Sequence, residues 1–138
     1  MKLKRIYLIF SVIIFMSCEE SDSITNTNEN VIIDANQYQK TNTNNYTIID
    51  VKLEGDLLTI KIGASGCSSE SWKAILVDSS AILESNPLQR NIKLNLENNE
   101  ACLAYFEVEY TFNIQSLTQN LSPIYFNLEG WNTQILHE

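Results

Sequence analysis

The chain has 138 residues, of which 44% are hydrophobic, and its 17 acidic residues outnumber nine basic ones to give a net charge of −8. This length suits one globular domain with a modest core. Nucleic acids and anionic lipid surfaces are poor partners for such a chain, because binding to their phosphates needs clustered lysine and arginine.

The N-terminus carries the pattern of a secretory signal peptide. Residues 1–5 contain three basic side chains, residues 6–16 are apolar, and the small residue Ser17 precedes Cys18. This apolar stretch is far below the roughly 20 residues that a membrane-spanning helix needs. Phe15–Cys18 resembles the lipobox of bacterial lipoproteins, in which the cysteine becomes the lipidated N-terminus. The resemblance implies attachment through Cys18 by more than one acyl chain, which gives stable anchoring.

Cleavage before Cys18 divides the chain into three predicted parts. Residues 1–17 form the signal peptide, residues 18–30 the lipidated cysteine with a flexible polar tether, and residues 31–138 the folded domain. Cleavage removes three basic residues and no acidic one, so the mature chain has a net charge of −11. The alternative is an ordinary secretory signal peptide in which Cys18 carries no lipid.

The start of the tether bears on location. Glu19–Asp22 resembles the export signals that carry some Bacteroidetes lipoproteins to the outer surface of the outer membrane. Acidic residues and serines are also what any solvated tether contains. We therefore expect a protein of the cell envelope that is lipid-anchored in the outer membrane and faces either outward or the periplasm.

From Val31 onward, apolar residues alternate with polar ones, which is the period of a β-strand. The strongest signal is a hairpin in which residues 49–53 and 58–62 flank the turn Glu54–Asp56. Gly55 can adopt the positive φ that such a turn needs. The same pattern predicts further strands at residues 31–34, 72–77, 91–96, 102–112, 124–128 and 133–136.

About six to eight short strands in a domain of this length are typical of an antiparallel β-sandwich. We therefore predict an all-β, immunoglobulin-like sandwich, with a small closed barrel as the alternative, because periodicity alone does not separate the two. No stretch predicts a convincing amphipathic helix, although residues 79–84 or 114–118 suit a single helical turn.

The cysteines predict one disulfide. Once Cys18 is lipidated, Cys67 and Cys102 are the cysteines that remain in an oxidising compartment. A bond between them closes a loop long enough to contribute roughly 4 kcal/mol of stability. A metal site or a reactive thiol is the alternative, and no histidine or further cysteine lies at ligand spacing near either residue.

Three motifs carry a family resemblance. They are Gly66-Cys67 after the predicted hairpin, Glu100-Ala101-Cys102-Leu103-Ala104 before the longest strand, and Leu128-Glu129-Gly130-Trp131-Asn132 near the end of the chain. These motifs resemble small lipoproteins of flavobacteria and other Bacteroidetes. The resemblance supports the lineage and the Cys67–Cys102 disulfide. It implies no activity and no site, because the group has none assigned.

The sequence offers little for catalysis. Its only histidine, His137, lies near the C-terminal end, where a mobile tail residue is expected. Glu107 and Glu109 share the exposed face of one predicted strand at about 7 Å from each other, which suits a glycosidase pair or a calcium site. Acids that alternate with core residues are, however, typical of a solvated strand face. We therefore expect no catalytic residue, no metal and no cofactor.

Four aromatic residues are the candidate ligand-binding side chains. Trp72 begins a predicted strand beside the first disulfide cysteine, Trp131 sits in the last turn, and Tyr105 and Tyr125 fall on faces predicted to be exposed. Aromatic side chains in such places bind sugar rings or protein partners. The alternative for the tryptophans is structural, with Trp72 packed over the disulfide and Trp131 closing its hairpin.

Together these observations favour a membrane-anchored envelope lipoprotein that acts as a non-catalytic binding module for a protein or a glycan. A small inhibitor of lysozyme-type or protease-type hydrolases is the second hypothesis, because the loop Ala64–Ser71 beside the disulfide suits insertion into an active-site cleft. An enzyme is the third hypothesis, and the lack of catalytic side chains disfavours it.

The substitution Cys18→Ala tests the lipid anchor. We expect the variant to be released in soluble form or to accumulate as precursor, because it has no thiol to accept the acyl chains. Cell fractionation and immunoblotting measure the outcome, with Ser21→Ala as the matched control. Normal membrane retention of Cys18→Ala at the processed size would contradict the lipoprotein prediction.

Overall fold

The computed structural model describes residues 25–28 and 30–138. The predicted signal peptide at residues 1–17, Cys18 and most of the predicted tether lie outside the described residues. The described chain forms nine strands and two short helices: β1 (Thr25–Asn28), β2 (Val31–Ile33), α1 (Ala35–Lys40), β3 (Thr47–Glu54), β4 (Leu57–Gly66), β5 (Lys73–Leu83), β6 (Leu88–Glu97), β7 (Ala104–Asn113), α2 (Gln115–Thr118), β8 (Ile124–Leu128) and β9 (Ile135–His137).

The strands are arranged in two sheets. The first sheet has the order β1-β7-β4-β3, and the second has the order β2-β5-β6-β8-β9. Their inner faces pack against each other around one core. The predicted all-β sandwich is therefore confirmed, and across the described chain both sheets stay open rather than closing into the small barrel.

The hairpin of β3 and β4 lies where the sequence predicts it. Gly55 occupies its turn with a φ of 58°, which an L side chain adopts only with strain. Along β4, Leu58, Ile60 and Ile62 are fully buried, whereas Lys61 stands on the outer face. The alternation of apolar and polar residues along this strand thus gives it one face buried in the core and one face toward solvent.

The core runs continuously between the sheets. It combines aliphatic residues of β4, β5, β6 and β8 with aromatic residues of β7 and β8. Its largest fully buried side chains are Leu58, Ile60, Ile62, Leu76, Ile92, Leu94, Tyr110, Phe112, Ile114, Leu117, Ile124 and Phe126. Each such side chain contributes about 1.5–3 kcal/mol on burial, so this core is the main source of stability.

Three strand pairs are parallel, which differs from the predicted antiparallel sandwich. They are β1 with β7, β2 with β5, and β6 with β8. After β6 the chain crosses to the first sheet as β7 and returns through α2, so β8 enters the second sheet in the direction of β6. Alternation reports which side chains point inward, but it carries no information about the direction of the neighbouring strand.

The N-terminal part of the domain also departs from the prediction. Thr25–Asn28, within the range predicted as a tether, form β1 and pair with β7. Helix α1, which the sequence pattern does not predict, begins after Asp34. The Asp34 carboxylate accepts hydrogen bonds from two backbone N–H groups of the first turn at 2.8 and 2.9 Å. A helix of six residues is too short to show a helical period.

The two segments predicted to suit a helical turn behave differently. Residues 114–118 contain α2, whereas residues 79–83 belong to β5. This end of β5 contains a bulge, because its register with β6 shifts between Asp78 and Ile82 and Ser80 has a φ of 69°. None of the helices in the described ranges is long and apolar enough to cross a membrane.

A buried ion pair lies beside the β5 bulge. Arg90 donates through Nε and Nη2 to the two carboxylate oxygens of Asp78 at 2.9 and 2.7 Å. Both side chains are almost completely buried. The backbone N–H of Ser80 donates to the same carboxylate at 2.8 Å. These charges occupy the strand faces that otherwise carry apolar residues such as Leu76 and Ile92, so the pair closes one end of the core.

We expect Arg90→Met to lower the free energy of unfolding by about 3–5 kcal/mol, because it leaves a buried carboxylate without its counter-charge. Urea denaturation followed by circular dichroism measures the loss. The double variant Asp78→Leu/Arg90→Met should recover most of it, since an apolar pair can replace a buried ion pair.

The control for this prediction is Lys61→Met, which removes the exposed ion pair with Glu107 at 2.7 Å. Exposed pairs contribute about 0–1 kcal/mol. Equal losses in Lys61→Met and Arg90→Met would contradict the special role of the buried pair.

Candidate functional site

The predicted disulfide between Cys67 and Cys102 is confirmed, with the two Cα atoms 4.8 Å apart. It joins the loop that follows β4 to the segment that precedes β7. We call residues 66–72 and 98–105 together the disulfide corner. Because the two segments meet at one end of the first sheet, the corner presents loop residues to solvent while its base rests on the core.

A carboxylate holds the same two segments together. Glu100 Oε2 accepts hydrogen bonds from the backbone N–H groups of Cys67, Ser68 and Ser69 at 2.6, 3.2 and 3.3 Å. Glu100 Oε1 accepts a hydrogen bond from the Ser71 hydroxyl at 2.7 Å. Successive N–H groups that converge in this way form an anion-binding nest. Here the nest is filled by a side chain of the protein itself.

The contacts of Glu100 favour its ionised form. The hydrogen bond from Ser71, followed by those from the loop backbone, lowers the pKa of Glu100 to about 2, although partial desolvation acts in the opposite direction. The carboxylate is therefore charged at any physiological pH. The charged oxygens accept hydrogen bonds from the loop and are not left for an external ligand.

Close packing explains the glycine at the start of the corner. A Cβ atom at Gly66 would overlap both Glu100 Oε2 and the Trp72 ring, so only glycine lets the backbone approach them. Asn98 supports the second segment, since its side chain donates to the Ser65 carbonyl at 2.8 Å and accepts from the Glu100 N–H at 3.0 Å. The corner is thus fixed by packing as well as by the disulfide.

Trp72 forms the base of the corner rather than its surface. It is only 5% exposed, and its ring meets Phe106 edge to face with centroids 6.3 Å apart. Its indole Nε1 is buried and has no hydrogen-bond partner among the described residues. Trp72 presents no open ring face on which a ligand could stack, which agrees with the structural alternative.

Two apolar side chains of the corner face solvent. Leu103 is 91% exposed and Tyr105 is 60% exposed. The Tyr105 ring lies across Gly63, where a Cβ atom would overlap its hydroxyl. A shallow cleft of about 190 Å³ separates Tyr105 from the segment that leads into β3. The exposure predicted for Tyr105 is therefore observed, and Leu103 adds an apolar contact that the sequence analysis did not single out.

The other two aromatic candidates lie elsewhere. Tyr125 is half-buried on the outer face of the second sheet. Trp131 packs against the core next to Gly130, whose φ is 88°. The structure therefore does not bring the four aromatic candidates together. Of them, only Tyr105 belongs to the exposed part of the disulfide corner.

Two of the three groups considered for catalysis, Glu107 and His137, are held by other contacts. Glu107 forms an ion pair with Lys61 at 2.7 Å. His137 is not a mobile tail residue: it ends β9, and its Nε2 lies 2.8 Å from Asp56 Oδ1 in the β3–β4 turn. This contact ties the second sheet to the first. Across the described ranges, no group of three histidine, cysteine or acidic residues could hold a metal ion.

Sequence reasoning missed the role of Glu100. A usable signal exists, because a loop with Gly66 and several serines exposes backbone N–H groups that need an acceptor. An acid two residues before the partner cysteine is placed to supply it. The consequence for stability can be tested through pH.

The melting temperature of Glu100→Gln should lie below that of the unchanged protein at pH 7. The folded-state pKa is about 2 against an ordinary value of 4.5, so the stabilisation is complete above pH 4.5 and disappears as pH falls toward 2. The difference between the two proteins should therefore shrink across this window. Glu97→Gln is the matched control, and a difference that stays constant from pH 7 to 2 would contradict the role of the charge.

Comparison with known proteins shows the fold and no family. No protein-family model and no curated protein matches the chain. A protein of unknown function (DUF1344) from Bacteroides vulgatus matches with 14% identity and a TM-score of 0.54 over 83% of this chain and 56% of that protein. A NigD-like immunity protein from Bacteroides caccae matches with 12% identity and a TM-score of 0.55 over 78% and 57%.

At these identities the likeness concerns the fold alone. The chain spans little more than half the length of either structure. Both proteins come from the Bacteroidetes, which is consistent with the lineage that the sequence motifs resemble. The chain is thus similar in fold to Bacteroides proteins of which one has no known function and the other is described as an immunity protein.

Proposed function

We propose that this chain is a non-catalytic binding module, anchored in the outer membrane through lipid on Cys18, which binds a protein through the disulfide corner. The observation that carries the proposal is the 91% exposure of Leu103 directly after disulfide-bonded Cys102. An apolar side chain held out on a fixed backbone is suited to enter a pocket of a partner.

Rigidity of the corner supports this proposal. The disulfide and the hydrogen bonds to Glu100 fix both segments from which the exposed side chains project. A loop that is already ordered loses little conformational entropy on association, so more of its contact energy appears as affinity. A flexible loop of serines and glycine would lack this advantage.

Tyr105 supplies a second contact beside Leu103. Its ring has a large apolar area and a polar hydroxyl, a combination that is common among the residues that dominate protein interfaces. Gly63 leaves room for this ring beside β4, where it stays 60% exposed. Leu103 and Tyr105 thus offer an aliphatic and an aromatic anchor within one short segment.

The carboxylates near the corner favour binding over catalysis. The Glu100 carboxylate is engaged by the loop backbone, and Glu107 is paired with Lys61. The engaged Glu100 carboxylate is therefore not left to act as an acid or a base on a substrate. The chemistry of the corner is therefore that of contact and not of proton transfer.

A second candidate function is inhibition of a hydrolase or toxin. The specific observation that favours it is the locked loop at residues 67–71, since a rigid protruding loop can occupy a cleft without being reshaped. The solved structures of similar fold include one named as a NigD-like immunity protein. This name describes that protein, and for the present chain it suggests lysozymes, proteases and toxins as partners to test.

Site-specific photo-crosslinking in intact cells tests the corner. We expect a photo-reactive amino acid in place of Leu103 to give an adduct of defined mass, because that side chain would enter the interface. The same amino acid in place of Leu57, which is 45% exposed at the other end of β4, is the matched control. The absence of an adduct from position 103, or equal adducts from both positions, would contradict the proposal.

The variant Leu103→Asp extends this test. It should abolish the adduct formed by a crosslinker at position 105 without changing the melting temperature, because Leu103 contributes little to the core.

The second candidate function, inhibition of a hydrolase or toxin, is tested by assays of lysozymes and serine proteases with the purified protein. Inhibition of one of these hydrolases by the protein would support it, and unchanged activity of all of them would oppose it.

A further inference from the structure

A second surface lies on the outer face of the second sheet, away from the disulfide corner. Gln89 of β6 pairs with Tyr125 of β8, and Asn91 pairs with Asn127. Their neighbours along the strands, including Ile92 and Phe126, point into the core. These four side chains therefore stand side by side on the outer face. We call them, together with Gln134, the amide face.

The amides of this face hydrogen-bond to one another. Asn127 Nδ2 donates to Gln89 Oε1 and to Asn91 Oδ1, both at 3.0 Å. Gln134 Nε2 donates to Gln89 Oε1 at 3.0 Å and to Asn127 Oδ1 at 2.9 Å. Bonds between two side chains form only about 10–15% of the hydrogen bonds in a protein. Four of them among four residues make an unusually ordered surface.

The network fixes which polar groups are left for a ligand. Asn127 and Gln134 each donate both amide N–H groups to their neighbours. Within the described residues, the amide N–H groups of Gln89 and Asn91 and the carbonyl of Gln134 have no partner in this network. Donors and an acceptor thus stand next to each other in set orientations, which is the pattern that adjacent sugar hydroxyls complement.

The same face supplies an apolar contact. Tyr125 stands between Gln89 in β6 and Leu136 in β9, which is 38% exposed, and the next row contains Asn91 and Asn127. A pyranose ring has apolar C–H faces and polar edges, so it can stack on an aromatic side chain while its hydroxyls bond to amides. Tyr125 and Leu136 can contact the apolar face of the sugar, while the adjacent amides can bond to its hydroxyls.

The charge of the surface points to a neutral ligand. The five residues of the amide face carry no formal charge. At its border Lys93 is paired with Glu129 at 3.1 Å and lies 4.5 Å from the ring centroid of Tyr38 in α1, so neither charge is left for a ligand. A polyanion or a basic peptide finds no counter-charge here.

We propose that the amide face is a binding site for a neutral oligosaccharide, with Asn127 ordering the neighbouring amides and Tyr125 stacking on a sugar ring. The site does not depend on the protein-binding corner, because Gln89 and Asn91 lie near the start of β6, whereas the second segment of the corner follows the end of that strand. An amide network that is ordered before binding reduces the entropy lost when the sugar is held.

Affinity electrophoresis tests this proposal. The full-length protein, in a non-glycosidic detergent, is run through gels that contain starch, laminarin, mannan or xylan, and through gels that contain polygalacturonate or heparin. We expect retardation by at least one neutral polysaccharide and none by the two charged ones. Retardation by no neutral polysaccharide, or by the charged ones alone, would overturn the proposal.

Variants locate the site. Asn127→Ala and Tyr125→Ala should each weaken the retarding interaction about tenfold, as expected for a loss of about 1.4 kcal/mol. Gln39→Ala removes an exposed amide from α1 and is the matched control. If Asn127→Ala fails to fold, Gln134→Ala replaces it, since that residue is exposed. Loss of retardation in Tyr105→Ala but not in the amide-face variants would place the sugar at the disulfide corner and reject the proposal.

The two proposals can fail separately. A protein adduct from position 103 that survives in Asn127→Ala, together with loss of retardation, would show two independent surfaces. Loss of both in Asn127→Ala would mean that the network supports the fold and not a sugar.

Discussion

The binding of the Glu100 carboxylate to the loop after β4 is the interaction on which the shape of the candidate site depends. It satisfies three backbone N–H groups that a tight polar loop would otherwise leave to water. The disulfide joins the same two segments covalently, but a single covalent bond leaves rotations that the carboxylate removes. Gly66 leaves room for the Glu100 carboxylate, and the buried Trp72 ring fills the space below the loop.

The sandwich decides where function can lie. The inner faces of both sheets are buried in the core. Ligands can therefore bind only to the outer faces, the edges or the ends of the sandwich. On the outer face of the first sheet, Lys61 and Glu107 neutralise each other, and helix α1 packs against β5 of the second sheet. The disulfide corner presents exposed apolar side chains, and the amide face presents ordered amides.

The sequence predicts much of this fold, because burial on one side of a strand imposes alternation. The β3–β4 hairpin, the inward residues of β4, and the pairing of Cys67 with Cys102 follow from local pattern and composition. Parallel pairing of β6 with β8 does not, since it depends on where the chain travels between them. Helix α1 is too short for a period, and the buried Asp78–Arg90 pair interrupts the apolar pattern on which the prediction relies.

The candidate site is less predictable than the fold for a related reason. Exposure of Tyr105 follows from alternation, but the engagement of Glu100 and the protrusion of Leu103 arise from contacts between segments far apart in sequence. The amide network has the same origin, because Gln89, Asn127 and Gln134 belong to three different parts of the chain. Each amide alone is an ordinary surface residue. Only the register of the strands turns them into one surface.

The crossing of the chain between sheets has a consequence for how the protein folds. Strand β8 pairs with β6, although β7 of the other sheet lies between them in the chain, and β1 pairs with a strand from the far half of the chain. Most contacts therefore link residues that are distant in sequence, which is the condition for slow folding. The strands of the two sheets are interleaved along the chain. No continuous fragment therefore contains one complete sheet without strands that belong to the other.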